Sequence, residues 1–136
     1  MEPTEAAIAE LLHRAEAARR RAYAPYSNYP VGAALLARSG GVYEGANVEN
    51  AAYPTTMCAE RSALFRAVSD GERSFDAIAV VSENGAAPCG ACRQALSEFG
   101  NNLLVIIGDA KGKVHHRIPL KELIPHAFGP QDLVLP

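Results

Sequence analysis

Two stretches constrain the fold of this chain more than any other feature. Phe75-Asp76-Ala77-Ile78-Ala79-Val80-Val81-Ser82 and Leu103-Leu104-Val105-Ile106-Ile107-Gly108 are nearly unbroken apolar runs of strand length. A strand with one wet face would alternate polar and apolar residues. These do not, so they predict strands buried on both faces, as in a sheet covered by helices on each side. Between them, residues 89–99 read as a helix stopped by Gly100. A helical crossover is what two parallel neighbours require.

The remaining pattern extends this core. Ile8, Leu11, Leu12, Ala15, Ala18 and Ala22 form a helical stripe over residues 4–23, with Thr4 as N-cap. Residues 24–30 contain two prolines and break the helix. Residues 31–37 and 42–49 read as two strands, joined by Ser39-Gly40-Gly41 as a tight hairpin. A second helix over 58–69 ends at Asp70-Gly71, and 114–118 gives a last strand before a short helix at 120–124. The link 109–113 is too short for a crossover, so that strand should run antiparallel. The fold class expected is α/β: a three-layer α-β-α domain spanning residues 1–136 around a mixed five-stranded sheet.

Composition narrows the function classes. The 136 residues suit one domain, and 49% hydrophobic with 21% charged residues is ordinary for a soluble globular protein. The formal net charge of -2 provides no basic field for a polyanion, so nucleic acid is not expected as a partner. Arg19-Arg20-Arg21 reads as a solvated last helical turn. No run approaches the roughly 20 apolar residues of a membrane span, and the first residues lack a signal-peptide layout. Three cysteines, an odd number, argue against a disulfide framework and for metal chemistry in a reducing cytoplasm.

Those cysteines carry the chemistry. One lies in Met57-Cys58-Ala59-Glu60 and two in Pro88-Cys89-Gly90-Ala91-Cys92, each group at the start of a predicted helix. Helix N-termini favour thiolates. Three thiolates occupy three corners of a zinc tetrahedron, and His13, His115, His116 and His126 show no spacing that would close the fourth. A structural zinc site is closed by four protein ligands, whereas a catalytic one keeps a corner for water. The expected cofactor is one Zn²⁺ held by Cys58, Cys89 and Cys92, with Glu60 as proton shuttle. Arg61 is the expected cation offsetting the thiolate charge, with Gln94 orienting it.

A Cys-Ala-Glu followed after one β-α unit by Pro-Cys-x-x-Cys is the signature of zinc deaminases. The chain resembles cytidine deaminases of the small, homotetrameric class. The likeness runs from the first helix to about Leu133, through Ala22-Tyr23-Ala24-Pro25-Tyr26-Ser27, Val31-Gly32-Ala33-Ala34-Leu35, Asn47-Val48-Glu49-Asn50-Ala51-Ala52-Tyr53, Cys58-Ala59-Glu60-Arg61 and Pro88-Cys89-Gly90-Ala91-Cys92-Arg93-Gln94.

The resemblance implies a cytidine deaminase-like fold. It implies hydrolysis of cytidine and deoxycytidine to uridine and deoxyuridine plus ammonia, as in pyrimidine salvage. Glu60 would move protons between water, ring N3 and the leaving amino group. Asn47 and Glu49, two apart on a strand and so on one side, would hold the ribose 3′-hydroxyl. The Ala59 backbone would meet the base edge. Tyr29 stands where the family usually has Phe against the pyrimidine, and its hydroxyl needs a partner when buried. Ala51 and Tyr53 resemble residues that reach a neighbouring subunit's nucleoside, and Phe128 one that closes a neighbour's pocket. That implies a cytoplasmic homotetramer with composite sites. Three other readings stay open at this level: a deaminase of a modified cytosine nucleoside of the blasticidin type, a polynucleotide-editing deaminase, and a non-catalytic structural zinc module.

Overall fold

The computed structural model describes residues 2–133, so Met1 and residues 134–136 of the expected domain lie outside the described residues. Helix α1 spans Glu5–Arg19, followed by β1 (Gly32–Ala37), β2 (Val42–Ala46), α2 (Ala59–Ser69), β3 (Phe75–Ser82), α3 (Gly90–Ser97), β4 (Leu104–Asp109), β5 (Val114–Pro119) and α4 (Leu120–Leu123). Short 3₁₀ turns occupy Tyr53–Thr55 and Pro130–Leu133.

The five strands lie in the order β2-β1-β3-β4-β5. β3 and β4 pair in parallel across the α3 crossover, and β5 returns antiparallel to β4. β1 runs antiparallel to both its neighbours, so β2 and β3 point the same way on either side of it. Their carboxyl ends, with the start of β1 between them, form one rim of the sheet. A crevice outside the carboxyl ends of strands is where α/β proteins commonly bind ligands.

Period-two burial divides the core. Ile8, Leu11 and Ala15 of α1 pack on Ala34, Ala77, Ala79, Val81 and Ile106 on one face. Ala63, Leu64 and Ala67 of α2, with Leu96 of α3, pack on Ala33, Leu35, Ile78, Val80, Val105 and Ile107 on the other. Each fully buried Leu or Ile is worth roughly 1.5–3 kcal/mol of transfer energy. Two glycines set the closeness of the layers. A Cβ on Gly32 would stand 2.0 Å from the Ala15 carbonyl oxygen, and one on Gly45 2.5 Å from the Ala59 carbonyl oxygen.

Three sequence boundaries are corrected. α1 starts as expected, with Thr4 Oγ1 accepting from Ala7 N, but it ends at Arg19 and not at 23. The cause is long-range: Tyr23 N donates to Asn47 O and Tyr23 O accepts from Glu49 N, which draws Tyr23 into an extended bridge. By the same pairing β2 stops at Ala46, because Val48 bridges Tyr23 on one side and Met57 on the other. α3 closes at Ser97, whose hydroxyl donates to Gln94 O. The arginine run is not merely solvated: Arg19 and Arg20 pair with Glu16, and Arg21 with Glu44. Among the described residues, no helix is long and apolar enough to cross a membrane.

Candidate active site

Cys58 is the N-cap of α2 and Cys89 the N-cap of α3, and neither uses its side chain to cap the helix. Their sulfurs are left free to meet. Cys92, one turn into α3, is buried beneath them. The Cys58 and Cys89 sulfurs are 3.9 Å apart and those of Cys89 and Cys92 3.5 Å, with all three within 4.8 Å of one another. Sulfurs on a tetrahedral zinc at ~2.3 Å stand roughly 3.8 Å apart. The three thiols therefore fit one zinc ion. Among the described residues, no His, Asp or Glu joins this cluster. His115 pairs instead with Asp109 at 2.8 Å, and His13, His116 and His126 are exposed.

The electrostatics suit a metal-ligating thiolate. The hydrogen bond from the Cys92 thiol, together with that from Arg61, holds the Cys58 thiol down to about 5 against the opposing effect of burial. Cys92 is pushed up in turn, because it shares its proton with Cys58 and is itself buried. Arg61 Nη2 reaches Cys58 Sγ at 3.3 Å, and the cluster holds the guanidinium's pKa above its usual value. Gln94 does not orient Arg61: it is exposed, and its Nε2 donates to Phe128 O at 2.8 Å.

Glu60, only 5% exposed, follows Cys58 by two positions. Burial, then the neighbouring Cys58 charge, pushes its carboxyl up to about 7. It opens onto a cleft of about 300 Å³ lined by Ala59, Tyr29, Asn47, Glu49, Cys58 and Cys89 among others. That is the lower end of the size range of small-molecule sites.

Asn47 and Glu49 both line the cleft, though from an extended segment beyond β2 and not from the strand. Asn47 Oδ1 accepts from Val31 N at 2.8 Å, and its Nδ2 donates to Tyr29 O at 3.0 Å. Glu49 accepts from Tyr26 N, Ser27 N and Ser27 Oγ, which hold its carboxyl below the usual range. Ala51, Tyr53 and Phe128 stay on the surface, Tyr53 70% and Phe128 58% exposed. Tyr26 and Tyr53 meet edge to face beside the cleft.

Four polar residues here carried no role in the sequence reading. Ser27 bonds Glu49; Thr56 lines the cleft; Ser82 Oγ accepts from Gly85 N and Ala86 N; and Asn84 Oδ1 accepts from Tyr29 Oη. Ser27 sits in a segment that carried the resemblance, which was the available signal. Nothing in the sequence marks Asn84.

Comparison with known proteins agrees with this geometry. Residues 6–107 match the model of the "Cytidine and deoxycytidylate deaminase zinc-binding region". The cytidine deaminase of Sporosarcina psychrophila is 50% identical over 129 residues, covering 93% of this chain and 94% of the relative. That of Halalkalibacterium halodurans is 47% identical, covering 90% and 95%. The crystal structure of cytidine deaminase from Burkholderia pseudomallei superposes with a TM-score of 0.85 at 47% identity, over 93% of this chain and all of the other. With three thiols spaced for one zinc ion and a family match over most of its length, this chain belongs to the cytidine and deoxycytidylate deaminase family of zinc-dependent hydrolases.

Proposed function

We propose that the chain, acting as one catalytic domain, deaminates cytidine and deoxycytidine to uridine and deoxyuridine with release of ammonia. The observation that carries this reading is the meeting of a three-thiol cluster with a buried carboxylate on the wall of a nucleoside-sized cleft. The relatives' names supply the substrate class.

Held by Cys58, Cys89 and Cys92, zinc supplies the Lewis acidity that makes water nucleophilic near neutral pH. Glu60 accepts the proton that the attacking water gives up and delivers it to ring N3, leaving C4 electron-poor. The water oxygen bonds to C4. Glu60 then carries a second proton from that oxygen to the amino nitrogen, the C–N bond breaks, and ammonia leaves while the oxygen becomes the product carbonyl. One water is consumed and no other reactant is needed. Burial of Glu60 on the wall of the cleft raises its carboxyl above the usual range, which favours taking and returning a proton. Arg61 offsets the charge of the thiolates.

Tyr29 packs on the base and the Ala59 backbone meets its edge. A carboxylate has about four acceptor sites, and three donors already occupy Glu49, so one remains for a sugar hydroxyl. Asn47 keeps one N–H for the same hydroxyl. Ala51, Tyr53 and Phe128 serve a neighbour's site in a cytoplasmic homotetramer. Their exposure supports that assembly, and light scattering on the purified protein measures it.

The test is ultraviolet detection of cytidine and deoxycytidine turnover by the zinc-loaded protein beside Glu60→Ala. The wild type should convert both, and the variant should keep zinc while losing more than about 10²–10⁴ in rate. A zinc-loaded wild type that converts neither, or a variant that turns over normally, overturns the reading.

A further inference from the structure

Tyr29 is held at three points. Its N donates to Ser27 Oγ at 3.0 Å, its carbonyl accepts from Asn47 Nδ2 at 3.0 Å, and its phenol donates to Asn84 Oδ1. The first two fix its backbone. The third holds the ring, and it comes from a loop 55 residues away. This bond joins the cleft's two flanks: Ser27, Tyr29 and Val31 line it from one side, Ala86, Ala87 and Cys89 from the other.

Asn84 is itself firmly placed. Ser82 Oγ takes both Gly85 N and Ala86 N at 3.1 Å. Gly85, at φ +72°, lies against the His115 ring, where a Cβ would come within 2.5 Å of it. His115 is anchored on Asp109 at 2.8 Å. A continuous series of contacts thus runs from β4 and β5 to the phenol of Tyr29.

We infer that Asn84 is a positioning residue: by tying the Tyr29 hydroxyl across the cleft it holds the ring in place as one wall of the base pocket. This rests on the proposed deamination of cytidine. Asn84 is exposed and outside the three-thiol cluster, so removing its side chain should leave zinc content and melting temperature unchanged.

The test uses zinc-loaded wild type, Asn84→Ala, Asn84→Asp, Tyr29→Phe and the Tyr29→Phe/Asn84→Ala double variant. Asn84→Ala should raise KM for cytidine about three- to tenfold with kcat within about twofold, the size of one lost hydrogen bond. Asn84→Asp, which keeps an acceptor, should restore wild-type KM. In the Tyr29→Phe background Asn84→Ala should add nothing, since the bond is already absent. Equal KM effects in both backgrounds overturn the inference. Tyrosine-labelled NMR reads the tie without turnover: the Tyr29 ring signal should change in Asn84→Ala and persist in Asn84→Asp. If the wild type fails on cytidine but this signal changes, the reaction assignment falls and the tie stands; an unmoved signal refutes the tie itself.

Discussion

The guanidinium of Arg61 lies 3.3 Å from the sulfur of Cys58, one turn further along α2. The pair places a cation on one side of three thiolates that, with Zn²⁺ bound, would together carry a net charge of about -1. Removing it leaves that negative charge uncompensated, which makes bound water less acidic. Arg61→Ala should lower kcat or zinc affinity by about 10–100-fold, with Arg61→Lys intermediate. Steady-state rates and zinc content measured on both variants check this, and wild-type values for Arg61→Ala would remove the residue from the mechanism.

Zinc should also hold the fold together. Two of its ligands, Cys58 and Cys89, stand at the N-cap positions of α2 and α3, which are joined to each other through β3. Binding to the folded state alone adds about 4 kcal/mol at a thousandfold excess over Kd. Chelation should therefore abolish activity and lower Tm by about 10 °C or more. Zinc re-addition should restore both. Calorimetry before and after chelation gives the answer.

The pH dependence of the metal-free chain follows from Glu60. Burial raises its carboxyl from 4.5 to about 7. A raised acid contributes stability while the folded state holds its proton: the contribution is complete below 4.5 and is lost as pH climbs through 7. Cys58, depressed to about 5, contributes with the opposite sign, but it is present in wild type and Glu60→Gln alike. Metal-free Glu60→Gln should thus exceed metal-free wild type by on the order of 3 kcal/mol at pH 8, and match it near pH 4. Urea unfolding followed by circular dichroism at the two pH values measures the difference.

Gly45 sets how deeply α2 sits. A Cβ there would come within 2.5 Å of Ala59 O and Ala63 N. The helix must lift, and Ala59 and Glu60 with it. Gly45→Ala should cost about 1–3 kcal/mol of stability and lower kcat by at least about tenfold, since ångström-scale misplacement costs up to ~10². Thermal melting and kcat measured on one preparation test both.

Much of this was legible in the chain. The apolar runs at β3 and β4 announced a sheet buried on both faces, and the thiol positions announced the zinc cluster. Both signals are local, and a thiol has few other roles. What could not be read was decided by partners distant in sequence. Tyr23 continues a helical stripe, yet its backbone goes to Asn47 and Glu49. Asn47 and Glu49 read as strand residues, yet they serve the 24–31 loop as much as the cleft. Gln94 adjoins the cysteine motif, yet its amide reaches Phe128. Asn84 sits in an ordinary polar turn, and only the folded chain brings it to Tyr29.

Gly32 and Gly45 occupy adjacent rungs of one ladder, since Gly32 pairs with Ala46 and Ala33 with Gly45. One admits α1 to one face of the sheet and the other admits α2 to the opposite face. A mutational scan read out by enzyme activity would mark both as indispensable, alongside Glu60 and the cysteines. Sorting such a scan by severity would then place two residues without side chains among the chemical machinery. Only a parallel readout of folded protein would tell the residues that perform the reaction from those that let the helices come close enough for it.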